Sequence, residues 1–238
     1  MPLSAPTEND ISTLRCVSQE IIGIKLEPIV ALPSSRIVGM EVLSLLKSPE
    51  HSEAYFQHQS VNQCLTLLEI QLAALKNTRY ANDLFINLPI TVFIEPESFA
   101  RILPLMHPGQ NIEIVEPGTF FRLPAELRQR VARHWGMLAD RGCHIWLDDV
   151  NTALIRPFLS CRLPLSGVKI DKMAFWRKRS TPALTELVGL CTQVARHVLI
   201  EGIESKMDRE CALQAGAGFG QGYYWPSTGW SEKKRTLA

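Results

Sequence analysis

The chain has 238 residues, with 25 lysines and arginines against 24 aspartates and glutamates, so its formal net charge is +1. A hydrophobic fraction of 46% and a charged fraction of 21% exclude a disordered chain, a collagen-like fibre and a coiled coil. The balanced charge also argues against a partner that is a nucleic acid polymer, because proteins dedicated to such partners carry a basic excess. The length favours one large domain.

The chain ends and the cysteines indicate where the protein works. None of the six cysteines shares a C-x-x-C spacing with another, so zinc ribbons and thioredoxin-type sites are not indicated. The N-terminus is acidic where a signal peptide is basic, and no apolar run approaches the roughly 18–20 residues of a membrane span. We therefore expect a reduced, cytoplasmic protein with no membrane partner. Residues 1–18 and 231–238 are predicted to be polar ends around a domain at 19–230.

Short β-branched segments alternate with helix-period segments along the chain, which is typical of α/β proteins. Strands are predicted at 20–31, 37–45, 83–88, 111–115, 144–149, 166–170, 197–201 and 218–224. Apolar stripes predict helices between them, most clearly at 61–75, 127–138, 184–194 and 201–216. Gly142 stands where a C-terminal glycine cap belongs.

Eight strands with intervening helices favour a (β/α)8 barrel, and a doubly wound open sheet is the alternative fold. The first two strands are joined only by residues 32–36, a connection too short for a helical crossover. That pair should therefore form a hairpin. The prediction is a modified TIM barrel with one antiparallel strand.

Polar side chains collect where the predicted strands end. Any one of them alone would be a turn or cap residue, but seven strands each offer a ligand-type side chain, and barrel active sites gather at that end. The residues are Glu41, Asn87, Glu113, Glu116, Asp148, Asp149, Lys169, Asp171, Glu201, Glu204 and Gln221. This set predicts one active site at the mouth of the barrel.

So many carboxylates cannot share one cleft unaided, because like charges at short range disfavour joint ionisation. Divalent cations would resolve the conflict, and an all-oxygen ligand set favours Mg²⁺ or Mn²⁺ over zinc. Adjacent Asp148 and Asp149 could serve two metals, an arrangement suited to hydrolysis of phosphate esters. Lys169 could neutralise phosphate charge or hold the attacking water. The residues alone indicate a metal-dependent phosphodiesterase or phosphatase.

Several motifs resemble those of the EAL-domain family of cyclic di-GMP phosphodiesterases. Glu41-Val42-Leu43 stands in the place of the Glu-Ala-Leu motif, FINLP resembles the family's Asn-Leu motif, and IEIVE its Glu-Ile-Thr-Glu motif. Asp148-Asp149, followed at 20 residues by Lys169-Ile170-Asp171, matches the family's sequence and spacing. EGIE and GQGYYWP match the last two motifs. The similarity covers roughly residues 20–228 in the right order.

The resemblance implies a role for each matched residue, together with the family's modified TIM barrel. Lys169 would contact the catalytic water, and Glu201 would be a ligand or the general base. Gln221 would complete the second metal's site through water, and Glu116 and Glu204 would be second-shell or loop-stabilising carboxylates. The implied metal ligands, of which Glu41 also counts as catalytic, are Glu41, Asn87, Glu113, Asp148 and Asp149.

Three departures from the family pattern bear on activity. Val42 replaces alanine beside Glu41, a small change. Leu45 stands where many members have an arginine that contacts the substrate phosphate. The loop at 150–154 reads Val-Asn-Thr-Ala-Leu where the family has Phe-Gly-Thr-Gly-Tyr, and alanine adopts positive φ much less readily than glycine.

The expected function is that of a stand-alone EAL phosphodiesterase, acting as a homodimer with two Mg²⁺ or Mn²⁺ ions per site. It would cleave cyclic di-GMP to linear pGpG and so affect biofilm, adhesion and motility. The alternative is a catalytically inactive EAL module that binds a protein or cyclic di-GMP. Loss of metal ligands usually marks that class, whereas here every ligand is present.

Overall fold

A computed structural model describes residues 5–48, 52–78 and 83–231, and these ranges contain nine strands and ten α-helices. The strands are β1 (Ile21–Ala31), β2 (Arg36–Leu46), β3 (Leu84–Pro89), β4 (Asn111–Val115), β5 (His144–Val150), β6 (Leu165–Ile170), β7 (His197–Ile200), β8 (Phe219–Gly220) and β9 (Thr228–Ser231). The helices are α1 (Glu8–Thr13), α2 (Ser52–Gln57), α3 (Val61–Leu75), α4 (Pro96–Ile102), α5 (Thr119–Arg122), α6 (Ala125–Asp140), α7 (Thr152–Phe158), α8 (Lys172–Lys178), α9 (Pro182–Val194) and α10 (Lys206–Gln214). Short 3₁₀ segments lie at Leu14–Cys16, Ile90–Phe93 and Leu103–Leu105.

Strands β1 to β8 close into a barrel. Strands β2 to β8 are parallel neighbours in chain order, and β1 pairs antiparallel with both β2 and β8. The short link between β1 and β2 forms the expected hairpin, with Glu27 paired to Glu41. The predicted modified TIM barrel is confirmed, and the open sheet is excluded because β1 joins its two ends. Strand β9 adds antiparallel to β1 outside the closed set.

The helices follow the predicted apolar stripes. In α6, Val131, Trp135 and Leu138 are buried, and Gly142 adopts the positive φ of +86° expected of a glycine that ends a helix. None of the helices in the described ranges combines the length and the apolar character that crossing a membrane requires.

The segment before β1 packs more closely than its polar sequence predicts. Helix α1 begins at a capping box, in which Thr7 accepts a hydrogen bond from the Asp10 amide. Ile11 and Leu14 are buried against the main core. Two apolar side chains spaced at i and i+3 were too sparse a signal to indicate this contact.

Two predicted elements near the C-terminal end are shorter than expected. Strand β8 stops at Gly220, because the chain turns at Gly222, where a Cβ would lie 2.3 Å from the Ile203 carbonyl oxygen. Helix α10 begins only after Ser205, whose hydroxyl accepts a hydrogen bond from the Asp208 amide. Residues 201–204 are therefore loop, with Gly202 at φ +74°.

A second, smaller core fills the inside of the barrel. It consists of Ile29, Phe85, Trp146 and Leu199, with Phe219 packed against them. Gly167 has no room for a side chain, because its Cβ would lie 2.2 Å from the Trp146 ring. The barrel below the site is therefore a packed floor, as in TIM barrels generally.

Candidate active site

The functional side chains lie one layer above this floor. Inner-face residues recur every second position along a strand, so the residue two positions beyond a floor residue points to the same interior. Asp148 follows Trp146 in this way, and Lys169 follows Gly167. We call the resulting layer the polar ring. It comprises Glu27, Glu41, Asn87, Glu113, Asp148, Lys169, Glu201 and Gln221.

Lys169 occupies the centre of the polar ring and is fully buried. Its Nζ lies 3.0 Å from Glu113 Oε1, 3.1 Å from Asp148 Oδ1, 3.0 Å from Glu201 Oε1 and 3.5 Å from Glu41 Oε2. One ammonium thus contacts four carboxylates from four different strands or strand ends. Lys169 thus brings together four of the eight acids that the sequence placed at strand ends.

Glu41 is the most extensively bonded acid of the polar ring. Asn87 Nδ2 donates to Glu41 Oε1 at 2.7 Å, and Gln221 Nε2 donates to Glu41 Oε2. Gln221 Nε2 also lies 3.2 Å from Glu27 Oε2. These contacts fix the Glu41 carboxylate from both sides.

The two adjacent aspartates face the same site because β5 carries a bulge. Leu147 pairs with Val168 and Val150 with Ile170, so three steps along β5 match two along β6. Asp149 has a positive φ of +52°, a conformation that aspartate tolerates better than most residues. Carboxylate oxygens of Asp148, Asp149 and Glu201 consequently lie within 4.8 Å of one another. In a regular strand, the Asp149 side chain would point away from the barrel interior.

The crowded charges shift the pKa values of the ring residues. Burial raises the pKa of Asp148 to about 6 and of Glu201 to about 8, although Lys169 opposes both shifts. Burial also raises the pKa of Glu113 well above its ordinary value. Burial would raise the pKa of Glu41 too, but Lys169, Asn87 and Gln221 outweigh it and hold that pKa below the ordinary value.

The predicted residues outside the polar ring are Glu116, Asp149, Asp171, Glu204 and Leu45. Asp171 accepts a hydrogen bond from the Ala174 amide at the start of α8. Glu116 and Glu204 are both exposed, and Glu116 has a positive φ of +48°. Next to the loop after β7, the buried carboxylate is that of Asp208 in the first turn of α10, which accepts hydrogen bonds from Ser205, Arg179 and the Glu204 amide. Leu45 is half-buried, paired across the hairpin with Gly23.

Two residues that the strand-end pattern did not single out belong to the site or its support. Glu27 belongs to the polar ring, and its pairing with Glu41 across the predicted hairpin was the signal that could have found it. Asp208 stabilises the loop next to Glu201, and the Ser205-x-x-Asp208 spacing of a helix start was its signal.

The polar ring suits hard divalent cations. Asn87 Oδ1 and Glu113 Oε2 are buried and accept no hydrogen bond from any residue that the structure describes. Such buried oxygens are costly unless a donor or a cation meets them. Carboxylate and amide oxygens are the preferred ligands of Mg²⁺ and Mn²⁺. The donor set therefore fits the predicted metals.

Metal binding should stabilise the protein more strongly as the pH rises. Asp148 and Glu201 have folded-state pKa values above the unfolded ones, so the metal-free protein loses stability between about pH 4 and pH 8 as these protons leave. Cations bind the ionised forms and remove this penalty. At a metal concentration 100 times Kd, the gain is about 2.7 kcal/mol, or roughly 5–10 °C in Tm. Melting curves with Mg²⁺ or with chelator at pH 5 and pH 8 measure this shift, and an equal shift at both values would contradict it.

Comparisons with known proteins agree with the geometry. The sequence model described as the EAL domain matches residues 12–227. The cyclic di-GMP phosphodiesterase RocR of Pseudomonas aeruginosa is 25% identical over 134 residues, which are 53% of this chain and 33% of RocR. The chain thus spans about a third of the length of that relative.

Solved structures share the fold at low sequence identity. The EAL enzyme Bd1971 with bound cGMP matches with a TM-score of 0.66 at 22% identity, over 91% of this chain and 65% of that one. An EAL domain protein from Listeria monocytogenes matches with a TM-score of 0.65 at 17% identity, over 94% and 95%. The Xanthomonas citri FimX EAL domain, in complex with c-diGMP, matches with a TM-score of 0.70 at 12% identity, over 93% and 94%.

Proposed function

This chain belongs to the EAL-domain family, and from that premise we propose that it hydrolyses cyclic di-GMP to linear pGpG with two divalent cations. The observation that carries the proposal is the intact polar ring, in which four carboxylates surround the buried Lys169. Together with the family's relatives, this ring supports catalysis on a phosphodiester. The substrate, the reaction and the metal count are our inference.

The five residues that would hold the cations are those predicted from the sequence: Glu41, Asn87, Glu113, Asp148 and Asp149. With Glu201 added, five carboxylates and the Lys169 ammonium leave four negative charges when all are ionised. Two divalent cations would balance this charge. When bound, such cations neutralise phosphate oxygens and lower the pKa of a coordinated water.

Glu201 and Lys169 would handle the attacking water. Glu201 sits at the mouth with its side chain 20% exposed, and its pKa of about 8 suits a group that accepts a proton near neutral pH. Lys169 donates from below and would orient the water oxygen. That oxygen forms the new bond to phosphorus, the bond from phosphorus to the 3′ oxygen breaks, and the proton passes through Glu201 to the leaving group.

The alternative, an inactive EAL module, has less support. An inactive module does not need a complete set of metal ligands. Here every predicted ligand except the exposed Asp149 lies within the polar ring, and the β5 bulge turns Asp149 towards that ring. We further propose a homodimer whose activity lowers the messenger level and so favours motility over adhesion and biofilm.

We expect the purified protein to convert cyclic di-GMP to pGpG with Mg²⁺ or Mn²⁺, and to lose this activity completely in excess chelator. Ca²⁺ should support binding better than turnover, because its looser coordination positions the water poorly. Chromatography of the nucleotides measures the conversion. Undiminished turnover in chelator at negligible metal content would overturn the mechanism. Binding of cyclic di-GMP without conversion under any of these metals would favour the inactive module.

A further inference from the structure

A cationic side chain lies just above the polar ring, on β1. Lys25 pairs with Leu43 across the hairpin and with Gly229 of β9, and its side chain is 26% exposed. Because Lys25 precedes Glu27 by two residues, both side chains lie on the inner face of the strand. Lys25 therefore occupies the rim of the mouth.

The Lys25 ammonium is connected to the polar ring by a chain of contacts. Its Nζ contacts Glu27 Oε1 at 2.5 Å, and Gln221 bridges Glu27 to Glu41. An ammonium has three N–H donors, and Glu27 takes one of them. The ring of the exposed Tyr223 lies 5.8 Å from Nζ. The Lys25 ammonium is thus held at the rim of the mouth, and its N–H groups that do not contact Glu27 can donate to a ligand.

The neighbouring strand lacks the cation that the family resemblance led us to expect. Leu45 pairs with Gly23, which makes it a diagonal neighbour of Lys25 across the hairpin. A Cβ on Gly229 would lie 3.6 Å from Leu45 Cδ1, so the leucine packs over Gly23 towards β9. Lysine on β1 and an arginine at position 45 would therefore reach into the same part of the mouth.

A cyclic dinucleotide carries two phosphates, and only one can be hydrolysed at the polar ring at a time. The other must lie nearer the rim, where the surplus of carboxylates would repel it unless a cation is present. Building on the proposed function, we propose that Lys25 binds this second phosphate, replacing from β1 the cation that Leu45 cannot supply from β2. Lys25 is then a substrate-positioning residue.

The test compares Lys25→Met with the control variant Lys47→Met. Lys47 is exposed, and its Nζ lies 4.0 Å from Glu20 Oε1. Lys25→Met should raise KM for cyclic di-GMP about tenfold, which is about 1.4 kcal/mol. It should change kcat much less, because the second phosphate is bound equally in the ground and transition states. Lys47→Met should leave both constants within twofold of the parent.

Rescue and direct binding separate a phosphate contact from a structural role. In the double variant Lys25→Met/Leu45→Arg, the arginine should return KM towards the parent value. Calorimetric titration of cyclic di-GMP with Ca²⁺ should show the same tenfold loss in Kd for Lys25→Met. An unchanged KM and Kd would overturn the proposal, as would a lowered Tm with unchanged Kd, which would mean that Lys25 only neutralises Glu27. If the parent binds without turnover, the proposed function fails while the Kd comparison still decides the role of Lys25.

Discussion

Replacing Glu41 by alanine should abolish measurable turnover while the barrel stays folded. Glu41 is the acid that Asn87, Gln221 and Lys169 all contact, so its loss removes the proposed metal ligand and the acceptor of the Asn87 amide. Losing an outer partner of a metal site costs about 10–100-fold, and losing a direct ligand should cost more. Steady-state kinetics, metal content and far-UV circular dichroism measure the three consequences.

Glu20→Ala is the matched control, because Glu20 is exposed and its side chain lies 4.0 Å from Lys47. This variant should keep the parent's rate and metal content. If folded Glu41→Ala retained more than about a hundredth of the parent's kcat/KM, a loss no greater than that of an outer partner, our assignment of the ligand would be wrong.

Replacing Lys169 by methionine should destabilise the metal-free protein and abolish activity. The ammonium is the cation that four buried or half-buried carboxylates contact, and removing one partner of a buried ion pair typically costs about 3–5 kcal/mol. The raised pKa of Lys169 keeps it charged, whereas Asp148 and Glu201 ionise only as the pH rises towards 8. The loss should therefore be larger at pH 8 than at pH 5, and Mg²⁺ should restore part of it.

Urea unfolding at both pH values, with and without Mg²⁺, measures this loss. Lys206→Met serves as the control, because the Lys206 side chain is 78% exposed and pairs only with Glu210 on its own helix among the described residues. A Lys169→Met protein with the parent's urea midpoint at pH 8 would show that the carboxylates do not need the ammonium.

The barrel and most of the ring could be predicted because both follow from strand periodicity. A strand places every second side chain inside, so residues such as Glu113 and Lys169 at successive strand ends must converge once the barrel closes. The hairpin followed from the length of its connection alone. These features need only local patterns and one topological rule.

The remaining features depend on contacts that a linear pattern does not contain. The bulge that turns Asp149 inward depends on the register between β5 and β6. The early end of β8 depends on how closely Gly222 approaches Ile203. Glu116 and Glu204 lie in motifs that suggest site residues, but their side chains are exposed. A residue that is close in sequence to a predicted ligand is therefore expected near the mouth of the barrel, but its side chain need not contact the polar ring.

Among the residues that the structure describes, the packed floor closes the base of the barrel interior and leaves the mouth as its opening. The Trp146 ring occupies the space of a side chain on Gly167, and its Nε1 donates to Asn111 Oδ1 at 2.9 Å, so the base of the barrel is sealed by apolar and paired groups. Substrate, water and product must all pass through the same blind-ended entrance. Under the proposed function, the linear dinucleotide has to leave before a new cyclic dinucleotide can bind, so the two compete for one opening. A slow departure would then limit the cycle even with fast bond cleavage.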